Sequence, residues 1–221
     1  MTERACGVPL RDQSPHLIRT AIGIGTTTGC IVIFRLAFKL WAGLGWALDD
    51  WFILATGIAT APSIAIVVHG TGGNGLGRDV WTLPFDTVID FGYYFWIMAW
   101  LYFLDLALLK ISILCFYLRI FPDLMVRRVL WVTLALTAAF GIAFVLAAIF
   151  QCTPVSYNWT RLTGEHEGKC VNITGIAWSN AVVNIVFDIW MLAIPLSQLR
   201  KLNLHWKRKV GVGLMFVVGT L

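Results

Sequence analysis

Long apolar runs separated by short polar stretches dominate this chain. About 20 mainly apolar residues cross a bilayer as a helix. Six stretches approach that length, at about 18–41, 51–68, 91–120, 129–150, 175–199 and 210–221. The first carries Arg35 and Lys39, whose long stems can snorkel toward one face. Pro62 is placed to kink the second, and the third holds Asp105 and Lys110. The fourth has no charge over its apolar stretch, and the fifth contains Asp188, with Pro195 near its end. The predicted fold is all-α: a polytopic transmembrane helix bundle over 18–221 with about six helices, behind a short extracellular tail at 1–17. The last run, 210–221, rises only about 18 Å against a hydrocarbon core of about 30 Å. A helix cut in mid-membrane is expected there, with a seventh span following in a complete protein.

Composition agrees with the pattern. Hydrophobic residues make up 58% of the chain and charged residues 13%, about half the usual share in a soluble domain. The 11 Trp residues suit helix ends at membrane interfaces. A net charge of +5 would be compatible with a nucleic-acid binder, but apolar runs between the charges exclude that class. The excess is a topology signal, and the lipid bilayer is the first expected partner. No Pro/Gly/Ser linker interrupts the chain, so a single membrane domain is expected. The polar opening "MTERACGVPLRDQSPHLIR" is too long before its first apolar run for a cleaved leader, so the first span reads as an uncleaved signal anchor.

Lys and Arg set the orientation. One side carries Arg35, Lys39, Arg119, Arg127, Arg128, Arg200, Lys201, Lys207, Arg208 and Lys209; the other has Arg4, Arg11, Arg19, Arg78, Arg161 and Lys169. The richer side is predicted cytoplasmic and the N-terminus outside, in the plasma membrane. The connection between spans four and five then lies outside. It holds sequons at Asn158 and Asn172, which matter only on the lumenal side. It also holds Cys152 and Cys170, which can form a disulfide in an oxidising compartment.

Lipid offers no hydrogen bonds, so polar residues within spans should face protein or a wet cavity. Asp49, Thr56, Thr60 and Ser63 fall on one stripe of the second span. Asn180, Asn184 and Asp188 follow at i, i+4 and i+8 in the fifth. Interhelical hydrogen bonding is the plain reading of such stripes; a ligand or ion site is the sharper one.

The third span has two stripes. Asp105, Ser112 and Arg119 lie on one, Lys110 and Tyr117 on another turned by about 130°. Asp105 and Lys110 therefore do not face each other along the helix. A lone charge at the bilayer centre costs roughly 2.5–3.5 kcal/mol, so each needs a partner. Measured from Arg119 and Arg200, Lys110 lies about 13 Å deep, Asp188 about 18 Å and Asp105 about 21 Å. Depth nominates a Lys110–Asp188 pair; distorted pairing with Asp105, or with a seventh helix, is the alternative. Lys110→Met and Asp188→Asn are each expected to lower folding yield, and the double substitution to restore it.

"DDW", Asp49 to Trp51, opens the second span. Carboxylates there suit the positive end of the helix dipole and can cap free N–H groups, which is the favoured reading. Pairing with basic inner segments is the alternative. Gly25 and Gly29 stand at GxxxG spacing, which lets another helix approach closely.

Several stretches carry a family resemblance: "DDW", "GLGRDVW" from Gly75, "LKISILCFYLRIFP" from Leu109, and "FQCTPVSYNW" from Phe150 leading to Gly168 and Cys170, then Asn184, Asp188 and Pro195. Together they resemble the fungal rhodopsin-like integral membrane proteins over about Leu36 to Leu221. That family includes receptor-like proteins of plant-pathogenic fungi and a satratoxin-cluster member. The resemblance implies a seven-helix, N-outside fold and a role resembling that of G-protein-coupled receptors in sensing external cues. Asp49, Asp50, Lys110, Tyr117, Arg119, Cys152, Pro154, Trp159, Cys170, Asp188 and Pro195 match its pattern. The eight-cysteine extracellular module of some relatives has no counterpart in this short tail. A retinal-bearing Lys would be expected in a seventh span, whereas Lys110 is in the third, so no chromophore is implied.

Two functional classes follow. A receptor-like protein would use the basic segments Arg119, Arg127, Arg128 and Arg200 to Lys209 to meet a heterotrimeric G protein or anionic lipid. A transporter or ion-pathway protein would use Asp105, Lys110 and Asp188 to handle protons or substrate. A truncated product without activity of its own is the third possibility. Enzymatic activity is not expected: His16, His69, His166 and His205 are scattered, and there is no HExxH, CxxC pair or P-loop. No cofactor or metal is expected, and the ligand is not legible.

Overall fold

The computed structural model describes residues 12–43, 45, 48–79, 83–161 and 167–201. Helix α1 spans Ser14–Trp41, α2 Leu48–Ala65, α3 Phe85–Ile120 and α4 Leu124–Ile149. Strand β1 (Cys152–Thr153), the short helix α5 (Tyr157–Thr160) and strand β2 (Lys169–Cys170) follow, then α6 (Ile173–Lys201). Helix α2 continues as a π-helical segment over Ile66–Thr71. Five helices among the described residues are long and apolar enough to cross a membrane. They correspond to the first five predicted spans; the sixth, 210–221, lies outside the described residues.

Helix ends differ from the predicted spans because apolar length reports membrane thickness, not helix length. Helix α3 begins at Phe85, six residues before the predicted span, after an extended Pro84. Its 36 residues rise about 54 Å, well beyond the hydrocarbon core. Asp86 and Asp90 occupy the overhang. Helix α4 starts where Asp123 accepts a hydrogen bond from the Met125 amide at 3.1 Å, a side-chain N-cap.

The chain divides into two units, residues 1–176 and 177–221, each described by itself. In the first, α3 is central: α2 packs along it on one side and α4 on another, while α1 rests on α2. Leu101, Leu114 and Tyr117 of α3 are buried, as are Val126, Leu130 and Ala148 of α4. The outer faces are apolar. Ile31, Ile33 and Phe34 of α1 and Val132 and Ile142 of α4 are exposed, which suits contact with lipid.

Gly25 and Gly29 separate in role. A Cβ on Gly25 would lie 2.5 Å from the Cδ1 of Ile64, whereas one on Gly29 would meet nothing within 4 Å. Of the two, Gly25 is the one at which α1 approaches α2 closely. Gly25→Leu is expected to cost about 1–3 kcal/mol through overpacking, and Gly29→Leu less than about 0.5 kcal/mol. Thermal unfolding of the two purified variants checks the contrast, and equal losses would remove the assignment.

The "GLGRD" loop docks on the start of α1. Gly75 and Gly77 take φ of 105° and 84°, conformations that favour glycine. The turn brings the Gly77 carbonyl to the Gln13 amide at 2.9 Å and Arg78 Nε to Asp12 Oδ2 at 3.0 Å. Asp12 also accepts from the Ser14 amide, capping α1. Hydrogen bonds from the Ser14 hydroxyl and amide, then the Arg78 charge, hold the Asp12 carboxyl below the ordinary carboxylate range. A lowered folded-state value means that this clamp stabilises above the unfolded pKa and is lost as pH falls through the lowered one.

Candidate functional site

Two heptad-spaced polar stripes meet between α2 and α3. Asp49, Thr56 and Ser63 repeat every seven residues on α2, and Asp105, Ser112 and Arg119 do so on α3. The helices run antiparallel, so the start of one stripe meets the end of the other. Ser112 Oγ donates to the Asp49 carbonyl at 3.1 Å, and Arg119 Nη1 lies 3.9 Å from Asp49 Oδ1. At the other end of the stripes the Thr60 and Ser63 hydroxyls lie within hydrogen-bonding reach of the Asp105 carboxyl.

An ionic cluster closes one end of this seam. Asp49 Oδ2 accepts from Arg35 Nη2 at 3.0 Å and Lys39 Nζ at 3.4 Å, and Lys39 Nζ also bonds Asp50 Oδ1 at 2.5 Å. Both carboxylates are buried, with side chains 2% and 1% exposed. The cations reach outward: Arg35 is 39% exposed and Arg119 47%. The Arg35 guanidinium also sits 5.7 Å from the Phe116 ring centre, a cation–π distance. Three helix ends are thereby tied together by side chains that share charges.

The structure adds partners to two expectations. The favoured reading of "DDW" was capping and dipole complementation. Both residues do occupy the first turn of α2, but their oxygens are given to cations from α1 and α3. Arg35 and Lys39 were expected to snorkel; instead their heads turn to Asp49 and Asp50. Desolvation explains both outcomes: a buried carboxylate is costly unless a cation and hydrogen bonds compensate it.

The remaining predicted residues are placed as follows. Lys110, Ser112 and Tyr117 of α3 are buried. Asn184 Nδ2 donates to Asn180 Oδ1 at 2.8 Å and to its carbonyl at 2.9 Å, so that pair bonds along α6. Asp188 continues the stripe one turn on. Arg127 and Arg128 are exposed at the start of α4. Helix α6 includes Arg200 and Lys201, and the basic stretch beyond them lies outside the described residues. No group of three His, Cys, Asp or Glu side chains suited to a metal occurs among the described residues.

At the opposite end of the first unit, Cys152 and Cys170 form a disulfide, and they pair across the two-stranded sheet β1–β2. The loop so closed carries Trp159, whose ring lies 5.1 Å from Tyr93 and 5.4 Å from Trp96 in the first half of α3. Gly168 is covered by the Tyr157 ring, which a Cβ there would strike. Asn158 is used inside the loop: its Nδ2 donates to the Val155 carbonyl at 2.9 Å and its Oδ1 accepts from Gln151 at 2.6 Å. A glycan on Nδ2 would break that arrangement. Asn172 is exposed and caps α6 through Gly175 at 3.0 Å.

The sequence reading missed Asp12 and its partner Arg78. The signal available was an Asp two residues before Ser14, at a helix start.

A family model described as fungal rhodopsin domain matches residues 34–221. A SAT4 family membrane protein of Emericella nidulans is 33% identical over 114 residues, covering 50% of this chain and 29% of the relative. A polyenoic acids biosynthesis gene cluster protein of Metarhizium anisopliae is 23% identical over 175 residues, covering 78% and 47%. A satratoxin biosynthesis cluster protein of Stachybotrys chartarum is 33% identical over 112 residues, covering 47% and 40%. The chain thus spans less than half the length of these curated relatives. No solved structure matches it.

Proposed function

The chain belongs to the fungal rhodopsin domain family of multi-pass membrane proteins, and from that premise we propose that it is receptor-like, sensing an external cue and signalling to a heterotrimeric G protein. In this reading the N-terminus is outside the plasma membrane and the ionic cluster lies on the cytoplasmic side. The observation that carries it is the cluster itself: Arg35, Lys39, Asp49, Asp50 and Arg119 join the ends of three helices. Five charges in shared contact have few alternative arrangements of similar energy. A shift of α3 against α2 exchanges one set of ion pairs for another, which is how a packed interface switches between discrete states. By the Lys/Arg count, Arg127, Arg128 and the sequence Arg200 to Lys209 belong to cytoplasmic connections, whose charge suits a G protein or anionic headgroups.

The test is nucleotide exchange on G proteins in membranes containing the native protein. Small apolar molecules are the first cues to try, because two relatives are named for clusters making polyenoic acids and satratoxin. Cue-dependent exchange, lost in a folded Lys110→Met variant, supports the reading. No exchange with any cue or in any cluster variant removes it. A second reading, transport, draws on the intramembrane Asp105, Lys110 and Asp188. Solute or proton flux in proteoliposomes, without nucleotide exchange, favours that reading instead.

A further inference from the structure

We propose that Asp105, Thr60 and Ser63 form a site for a small monovalent cation, sodium, between α2 and α3. The Oδ1 of Asp105 is one of two buried side-chain polar atoms without a hydrogen-bond partner among the described residues, the other being Trp96 Nε1. The hydroxyls of Thr60 and Ser63 lie within hydrogen-bonding reach of the same carboxyl. Each hydroxyl has a single proton to donate. Thr60 directs its proton to the Thr56 carbonyl at 2.8 Å, and Ser63 to the Ala59 carbonyl at 3.2 Å. With those protons directed along α2, what each hydroxyl has left for the Asp105 carboxyl is a lone pair. Oxygens that face one another without a shared proton are the ligand set of a hard cation.

Charge argues for a monovalent ion, since one carboxylate balances one positive charge. Among the described residues no basic side chain forms an ion pair with Asp105. Helix α2 has acidic groups at its start, Asp49 and Asp50, and His69 lies in its π-helical end. Arg127 and Arg128 stand at the start of α4, and α5 contributes Tyr157. Helix α1, which packs on α2, carries Arg19 toward one end and Arg35 and Lys39 toward the other. On α3 itself, Arg119 faces Asp49, and Lys110 lies on a face turned by about 140° from Asp105.

The experiment is thermal unfolding of the purified protein in lipid nanodiscs, in sodium, potassium or choline chloride at equal ionic strength. Sodium should raise the midpoint saturably, by about 3–6 °C when it is about tenfold above its dissociation constant, with potassium less effective. Asp105→Asn should abolish the response. Should that variant not fold, Thr60→Val and Ser63→Ala should each weaken it. Equal midpoints in sodium and choline overturn the proposal, as does an undiminished sodium response in all three variants. A midpoint that varies with pH but not with sodium assigns the position to a proton and equally overturns it. The readout is unfolding, so either result leaves the signalling proposal standing on its own test.

Discussion

Replacing Asp49 by Asn is expected to destabilise the protein by about 3 kcal/mol, the low end for breaking a buried ion pair. The side chain is 2% exposed and faces Arg35, Lys39 and Arg119. Asn keeps the volume and one acceptor but removes the charge. Three cations would then share Asp50 alone. The loss stays near the low end because Arg35 and Arg119, at 39% and 47% exposure, can turn toward water or headgroups. Lys39 retains its bond to Asp50. In thermal unfolding the midpoint should fall by about 6–12 °C for a chain of this size. Arg119→Ala is the control: its 3.9 Å contact is long and half exposed, so the loss should stay below about 1 kcal/mol. Were Asp49→Asn to unfold with the native midpoint, the cluster would not be holding these helix ends together.

The second large effect is expected at the disulfide. Cys152 and Cys170 are 18 residues apart, and cross-linking a loop of about this size stabilises by about 3 kcal/mol in the chain-entropy account. Strands of two residues each do not persist unaided. Cys170→Ser should therefore lower the midpoint and also loosen the Trp159 contact with Tyr93 and Trp96. Near-ultraviolet circular dichroism would record the loss of aromatic order. Reductant should reproduce both effects in the native protein and add nothing in the variant. A native midpoint indifferent to full reduction would show that the loop is held by its aromatic contacts instead.

The two ends of the molecule differ in how much of them could be read in advance. The cysteine pair was legible because only two cysteines fall in one exposed connection. Its neighbours were not: Tyr93 and Trp96 lie within the predicted apolar run of α3, and nothing local indicates that Trp159, more than 60 residues on, packs against them. The glycines of "GLGRD" were noted only as part of a motif. Their conformational role appears once the loop is seen turning back onto Asp12 and Gln13.

The seam between α2 and α3 shows the same division within a single element. Period and polarity marked the inward faces, so Asp49, Thr56, Thr60 and Ser63 and, opposite them, Asp105, Ser112 and Arg119 were placed correctly on stripes. Which stripe meets which, and at what register, was beyond reach. A stripe shows where a helix needs a partner but not where the partner is, because helix pairing depends on shape and distance across chain segments far apart in sequence. The DDW carboxylates illustrate the consequence. Local rules favour capping for an acid in a first helical turn; the nearby ends of α1 and α3 supply cations that interact more strongly in a dry setting.

The sequence by itself determined the membrane class, the presence of five apolar spans, the polar stripes by which the second and third meet, and the two cysteines available for a bridge. All follow from apolar length, helical period and residue chemistry, which are local properties. Only the tertiary structure decided that Gly25 but not Gly29 admits a neighbour, that Arg35 and Lys39 turn to Asp49 and Asp50, and that Thr60 and Ser63 face Asp105. Those outcomes depend on the register and approach of whole helices, set by packing summed over many side chains rather than by any short stretch of chain.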